Sequence, residues 1–138
     1  MPTFSSKSQA RLDTCHPDII KVFNAVVAVP DCTVIEGQRT IETQREYFRT
    51  GKSKLNPDNA DLLAKAMHCK SPSLAIDVMP YPIDWQDKER IACYAGFVLG
   101  TANQLNIKLR WGGNWDRDLT VLNATAGFFD GPHFELIE

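Results

Sequence analysis

The chain has 138 residues, of which 43% are hydrophobic and 23% charged, and its formal net charge is −2 at pH 7. This length suits one ordinary domain, so we expect residues 1–138 to share a single core. With 15 basic and 17 acidic side chains, no basic excess is available to neutralise many phosphates, and a dedicated nucleic-acid-binding protein is not expected. No stretch approaches the roughly 18 apolar residues of a membrane span.

Capping residues and hydrophobic spacing predict helices and short strands without a steady βαβ rhythm. Pro17 suits the first position of a helix, and Pro80 and Pro82 are expected to end a central strand, because proline cannot donate to a sheet ladder. Gly96 and Gly100 are expected to allow close packing of the long helix that contains them. In chain order we predict helices at about 6–14 and 17–27, a strand at 32–35, helices at 40–50 and 58–67, a strand at 73–79, a helix at 87–105, and strands at 107–111 and 133–137. This order favours an α+β domain over a doubly wound sheet.

Few residue types are available for metal or acid-base chemistry. The chain has three histidines and four cysteines, namely His16, His68, His133, Cys15, Cys32, Cys69 and Cys93. No Cys-x-x-Cys pair is present, so we expect four reduced thiols in or near the core. The alternative for Cys69, which adjoins His68, is a metal ligand or a nucleophile. The N-terminus lacks the apolar run of a secretory signal peptide, so we expect the chain to fold in the cytosol.

Three polar residues stand where core-facing or strand-end side chains are expected. His68 lies just past a predicted helix, Asp77 within a predicted strand, and His133 at the start of the last strand. Two imidazoles and a carboxylate suit a catalytic zinc site, which keeps its fourth position open for water. Asp130 is the nearest candidate base, because the Gly-Pro pair after it permits a tight turn toward His133. On these residues alone, hydrogen-bonded or surface histidines and a turn-forming Asp130 remain the favoured interpretation.

The order of the motifs adds to this pattern across nearly the whole chain. Glu-Gly-Gln-Arg-Thr around Arg39 is followed by His68, then Ala-Ile-Asp77, then Trp-Gly-Gly-Asn-Trp, and finally Asp-Gly-Pro-His-Phe-Glu around His133. This succession resembles the D-alanyl-D-alanine carboxypeptidase-like zinc peptidases. It is most similar to their phage branch, the L-alanyl-D-glutamate endopeptidases used as endolysins.

The resemblance implies a hedgehog/DD-peptidase type of α+β fold, with a small antiparallel sheet packed with helices. It implies that zinc is held by His68, Asp77 and His133, and that Asp130 is the general base. Arg39 matches the arginine that contacts the substrate carbonyl or a peptide carboxylate, a role that suits a permanently charged, forked donor. The alternative for Arg39 is an ordinary surface salt bridge.

The sequence departs from the family pattern at the first zinc motif. Eight residues separate His68 from Asp77, where the family usually has six, so the extra residues around Pro72 must bulge outward if both ligands meet one metal. His16 matches no family position, and we expect a capping or surface role for it. Glu135 is left open as a partner of the site, an alternative base or a structural residue.

The resemblance predicts a zinc-dependent peptidoglycan peptidase that cuts the L-alanyl-D-glutamate bond of the stem peptide. We expect a monomer without stable membrane insertion, made in the host cytoplasm and reaching the wall after a separate factor permeabilises the membrane. Two alternatives are a D-alanyl-D-alanine carboxypeptidase or dipeptidase, and a non-catalytic wall-binding module on the same fold. Tryptophans 85, 111 and 115 are candidates for contact with the substrate, although core positions are more usual for tryptophan.

Overall fold

The computed structural model describes residues 1–115, 117 and 129–137, and it contains helices and one antiparallel sheet. The described elements are α1 (Ser6–Leu12), α2 (Pro17–Val27), β1 (Cys32–Glu36), α3 (Ile41–Arg49), α4 (Ala60–Leu63), a 3-10 turn (Met67–Cys69), β2 (Ala75–Pro80), α5 (Lys88–Gln104), β3 (Leu109–Trp111) and β4 (His133–Leu136). The predicted loop between the last two strands lies mostly outside the described residues. Within the described part of the chain, no helix has the length and apolar character needed to span a membrane.

The sheet has the strand order β1-β2-β4-β3, and all its neighbouring strands are antiparallel. α1 packs on β1, α2 packs on α5, and α5 packs on β2 and β3. The core between these layers includes Phe23 and Phe134, whose rings meet edge to face with centroids 5.6 Å apart. These packed layers confirm the predicted α+β fold.

The register of the central strands places polar side chains in a row across the sheet. Asp77 on β2 lies opposite His133 on β4, and an irregularity in β1 brings Glu36 opposite Asp77. Arg110 on β3 lies opposite Glu135 on β4. Directly opposed residues of antiparallel strands project to the same face, so this row forms one polar surface, while Phe134 points into the core on the other side.

Side chains of α1 form hydrogen bonds with backbone groups at the outer edge of β1. The Ser8 hydroxyl accepts a hydrogen bond from the backbone N–H of Val34 at 3.1 Å, and Arg11 donates to the Val34 carbonyl at 3.0 Å. Both backbone groups of Val34 are therefore paired, which protects this edge from adding another strand.

The segment before the second strand differs from the prediction. The helix expected at 58–67 ends at Leu63, because Lys65 and Ala66 bond to carbonyls three residues back and Ala66 leaves the helical conformation. His68 therefore lies in the 3-10 turn and not just past a long helix. Pro80 does end its strand, as the last residue of β2.

The expectation that Gly96 and Gly100 permit close packing is wrong. Both are exposed, and a methyl group added at either position would meet nothing within 4 Å. Gly37 is different, because an added Cβ would lie 2.2 Å from the Arg11 carbonyl oxygen and 2.4 Å from the Thr14 hydroxyl. The close approach that needs glycine is therefore at Gly37, where the chain passes α1.

These contrasting environments predict opposite effects of the same substitution. Gly37→Ala should lower the free energy of unfolding by about 1–3 kcal/mol, because the new methyl group overlaps backbone that cannot move freely. Gly96→Ala, on the exposed side of α5, should raise it by about 0.5–1 kcal/mol through lower backbone entropy in the unfolded chain. Urea unfolding of both variants measures the difference, and a Gly37→Ala variant as stable as the wild type would contradict this packing.

Candidate metal centre and active site

Two histidines and an aspartate converge on one point of the polar face. The Nε2 atom of His68 lies 3.1 Å from Oδ1 of Asp77, and Nδ1 of His133 lies 3.2 Å from the same oxygen. The two ring nitrogens are 3.3 Å apart. Both histidines are buried, and among the described residues this is the group able to hold a metal ion.

The other nitrogen of each ring is occupied by a hydrogen-bond acceptor. Nδ1 of His68 donates to the Gly37 carbonyl at 2.8 Å, and Nε2 of His133 donates to the Glu135 carboxylate at 2.8 Å. In a neutral imidazole the second nitrogen is then an acceptor. With both imidazoles neutral, three acceptor atoms face one another, and each of these histidines has the outer partner that is usual at metal sites.

The size of this triangle also suits zinc. Zinc binds imidazole nitrogen and carboxylate oxygen at about 2.0–2.2 Å in tetrahedral geometry. Two tetrahedral ligands at such distances are about 3.3 Å apart, close to the observed sides of 3.1–3.3 Å. The donor types and their spacing both fit a metal with three protein ligands.

The electrostatics of the three groups favour positive charge at their centre. Burial raises the pKa of Asp77, but hydrogen bonds from His133 and His68 outweigh it and hold that pKa well below its usual range. Burial lowers the pKa of His133, yet Asp77 and Glu135 outweigh this effect and raise it to about 9. Because a metal ion and a proton compete for the same nitrogen lone pair, the groups that raise this pKa also favour a bound cation.

The lengthened segment between the first two ligands forms an outward bulge. Ser71 and Pro72 are exposed, whereas Ser73 at the base of the bulge is buried. Ser73 bonds to the connection between α1 and α2, donating to the Thr14 carbonyl at 3.0 Å and accepting from His16 N–H at 2.8 Å. The extra residues thus leave His68 and Asp77 able to meet.

Asp130 lies beside the metal-facing side of His133. Its Oδ2 is 3.9 Å from Nδ1 of His133. Burial is the main cause that raises the pKa of Asp130, opposed by the charge of His133 and reinforced by that of Asp77. A carboxylate with a raised pKa is a stronger base, so Asp130 has both the position and the basicity to accept a proton from a water at the site.

The turn that contains Asp130 is fixed by the segment after β3. Asp130 N–H donates to the Gly112 carbonyl at 2.9 Å, and Gly112 N–H donates to the His133 carbonyl at 2.7 Å. The indole of Trp111 donates to the Gly131 carbonyl at 2.7 Å. A Cβ at Gly112 would lie 2.3 Å from the Asp130 carbonyl oxygen, so glycine is required for this approach.

Arg39 reaches the same groove from the other side, and its side chain is 13% exposed. The guanidinium donates to Glu36, donates to Oε1 of Gln44 at 2.8 Å, and stacks 4.7 Å from the centroid of the Tyr47 ring. The backbone N–H of Arg39 donates to the His68 carbonyl at 2.8 Å. Arg39 therefore does form an ion pair, but a partly buried one next to the candidate metal ligands, where it also lines the groove.

The groove that contains these residues has a volume of about 940 Å³. It includes the three candidate ligands, Asp130 and Arg39. The structure thus brings together all five residues singled out from the sequence, in a depression large enough for several residues of a peptide.

Comparison with known proteins decides the family. The sequence profile of the family described as phage L-alanyl-D-glutamate peptidase matches residues 2–137. The chain is a member of this family. Its structure is also similar to the crystal structure of the Serratia marcescens L-Ala D-Glu endopeptidase ChiX, with a TM-score of 0.72 and 27% sequence identity over 98% of this chain and 90% of that chain. A search of curated protein sequences finds no significant match.

Glu135 of this phage-type peptidase is hydrogen-bonded to a candidate ligand and is not itself in the candidate metal group. It is buried between His133 and Arg110, which donates to its second oxygen at 2.7 Å. Hydrogen bonds from these two residues outweigh burial and lower the pKa of Glu135. The carboxylate is therefore ionised and orients the His133 ring, which argues against Glu135 as an alternative base.

The three tryptophans differ in burial and location, and the third histidine, His16, caps a helix. Trp115 lines the groove, with its ring centroid 5.2 Å from that of His133, whereas Trp111 is in the core and Trp85 is exposed. His16 caps α2 by accepting from Asp18 N–H at 3.1 Å. The expected capping role of His16 is thus confirmed.

The cysteines are all free thiols, and they differ in burial. Cys15 and Cys32 are buried, Cys69 is partly buried, and Cys93 is exposed. The expectation of four thiols in or near the core is therefore wrong for Cys93. Burial raises the pKa of Cys69, so this thiol stays protonated, and it is not in the candidate metal group.

Two residues that contact Arg39 were not predicted from the sequence as part of the site. Gln44 and Tyr47 hold Arg39 in place, and Gln44 is fully buried. Their spacing of one helical turn places both on one face of α3, but a glutamine within a polar helix gives no sign that it will be buried.

The converging ligands predict a clear pattern of metal binding. The wild-type protein should bind one zinc ion, and His16→Ala should bind it equally well, because His16 only caps a helix. His68→Ala and His133→Ala should bind at least about 100-fold more weakly, since even loss of an outer partner costs 10- to 100-fold. Isothermal titration with zinc measures this, and an unchanged affinity in either ligand variant would exclude the proposed site.

Proposed function

We propose that this peptidase is a zinc-dependent endolysin that hydrolyses the L-alanyl-D-glutamate bond of the peptidoglycan stem peptide. Membership of the phage L-alanyl-D-glutamate peptidase family supports the activity, and the similarity to an L-Ala D-Glu endopeptidase supports it independently. The single observation that carries the mechanism is the triangle of three acceptor atoms, 3.1–3.3 Å on each side, with Asp130 beside it.

His68, Asp77 and His133 would hold the zinc ion. When bound, zinc supplies a Lewis acid that polarises a carbonyl and lowers the pKa of water to about 7. Zinc is favoured over magnesium or calcium because two of the three donors are imidazole nitrogens, whereas those harder ions take oxygen ligands.

Asp130 acts as the proton carrier in this proposal. Its carboxylate accepts a proton from the attacking water and then gives a proton to the nitrogen of the leaving D-glutamate. One water is consumed, the amide C–N bond breaks, and the products are a carboxylic acid and an amine. Asp130 ends in its starting state and is ready for the next cycle.

Arg39 stabilises negative charge on the substrate. Glu36, Gln44 and the Tyr47 ring hold its guanidinium in one orientation, so little entropy is lost when the substrate arrives. We assign to it the scissile carbonyl oxygen or a substrate carboxylate, as the family resemblance implies.

The site of action follows from the substrate. We propose that the chain is synthesised in the host cytoplasm, acts as a monomeric single domain, and reaches the peptidoglycan once a separate factor has permeabilised the membrane. Peptidoglycan lies outside the cytoplasmic membrane, so a phage enzyme that cleaves it must cross this barrier.

Product analysis tests the activity and the base together. Zinc-loaded wild type incubated with peptidoglycan should release stem peptides that begin with a free D-glutamate amine, identified by mass spectrometry. A chelator should abolish this release and added zinc should restore it. Asp130→Ala should bind zinc normally but lose about 10²- to 10⁴-fold in rate, which is the usual contribution of a general base.

Other products would contradict the proposal in distinguishable ways. Free D-alanine or a D-alanine dipeptide would indicate carboxypeptidase activity, and wall binding without released amines would indicate a non-catalytic module. An Asp130→Ala variant that loses zinc would identify Asp130 as a ligand and not as the base.

A further inference from the structure

The loop after α3 brings lysines to the rim of the active-site groove. Lys52 and Lys54 line the groove from this loop, and Lys65 lines it from the segment before the 3-10 turn. The ion pairs formed among the described residues involve none of these three lysines. All three are exposed, so their charges are available to a ligand.

The acidic residues in the described lining of the same groove already have basic partners. Those in its lining are Glu36, Asp77, Asp130 and Glu135. Each lies within 4.0 Å of a basic group that the site already uses, either Arg39, Arg110 or the two ligating histidines. Among the described residues, these lysines are therefore the charged groups of the groove lining with no opposite charge within 4.0 Å, and they favour an anionic ligand at this part of the rim.

A buried glutamine fixes the lysine-bearing loop to the active site. Gln44 accepts from Arg39 through Oε1, and its Nε2 donates to the Ser53 hydroxyl at 2.9 Å and to the Leu55 carbonyl at 2.8 Å. The Ser53 N–H donates to the Tyr47 carbonyl at 3.1 Å. One side chain thus ties the loop on both sides of Lys54 to the arginine of the site.

Lys52 also shares an aromatic partner with Arg39. Its amine lies 4.9 Å from the centroid of the Tyr47 ring, and the Arg39 guanidinium lies 4.7 Å from the same centroid. A cation at this distance is attracted by the ring. The ring thereby keeps the Lys52 charge close to Arg39 at the groove.

We propose that Lys52 and Lys54 form a subsite for the free carboxylate of the D-glutamate residue and so determine substrate specificity. This inference rests on the proposed function. A glutamate within a peptide uses one carboxyl group in the chain and leaves the other free. In the alanyl-glutamyl unit this carboxylate is the charge nearest the scissile bond, and it belongs to the leaving amine. Each lysine amine is a point charge on a flexible side chain, so the two lysines of this loop can follow a mobile carboxylate. Arginine would instead impose a fixed bidentate geometry.

This assignment also gives the substrate a direction in the groove. The alanine carboxyl group is consumed in the scissile bond, so the alanine side of that bond offers no anionic group of its own. The D-glutamate side must then lie toward the loop at 51–55, and the alanine side toward the opposite end of the groove.

Two matched substrates test the subsite. Each is a muramyl-L-alanyl-D-glutamyl peptide with an amidated C-terminus, and they differ only in whether the free group of glutamate is a carboxylate or a carboxamide. Wild type should cleave the carboxylate form with a kcat/KM about tenfold higher, as expected for a charge-assisted hydrogen bond. The double variant Lys52→Gln/Lys54→Gln should bring this ratio close to one, mainly through KM.

Lys21→Gln is the matched control, since it removes the same charge from an exposed position on α2 and should keep the wild-type ratio. A wild-type ratio near one, or a double variant that keeps the preference, would overturn the subsite while the proposed function stands. Failure of the wild type to cleave either substrate would overturn the proposed function and this inference with it. Because the readout is a ratio within one protein, partial misfolding of a variant does not imitate the result.

Discussion

Three acceptor atoms held 3.1–3.3 Å apart in a largely buried position require positive charge between them, and the site is organised around this requirement. The Gly37 carbonyl and the Glu135 carboxylate fix the outer nitrogens of His68 and His133, so the inner nitrogens present lone pairs to Asp77. In the absence of a metal ion the same groups favour protons, and Asp77 and Glu135 raise the pKa of His133 to about 9 against the effect of burial. A divalent cation held by His68, Asp77 and His133 would satisfy all three atoms together, in the groove that Asp130 also lines.

The sheet register and the close passage of Gly37 past α1 make this convergence possible. Asp77 and His133 are direct partners across β2 and β4, so a slip of one residue would turn one of them to the core face. His68 comes from outside the sheet, and its position depends on the hydrogen bond to Gly37. The first candidate ligand, His68, therefore depends on loop packing, whereas Asp77 and His133 are set by strand pairing. The lengthened segment between His68 and Asp77 does not alter that pairing.

Local sequence signals predicted much of this arrangement. In the structure Ser5 caps α1, Thr40 caps α3 and Pro17 opens α2. Capping residues predict these helix starts because capping depends on neighbouring residues. The motif order singled out five site residues that the fold brings into one groove. The break after Leu63 and the burial of Gln44 depend on contacts made by distant segments, and no local pattern encodes them. The open surroundings of Gly96 and Gly100 are not encoded locally either, because the sequence of a helix interior gives no sign of what packs against it.

Anomalous diffraction at the zinc absorption edge, from crystals grown with one equivalent of zinc, would locate the bound ion and identify its ligands. We expect one peak at the centre of the polar face, bonded at about 2.0–2.2 Å to Nε2 of His68, Nδ1 of His133 and Oδ1 of Asp77. A peak that lacks His68 among its ligands, or that lies at Cys69 or elsewhere, would contradict the assignment on which the proposed chemistry depends.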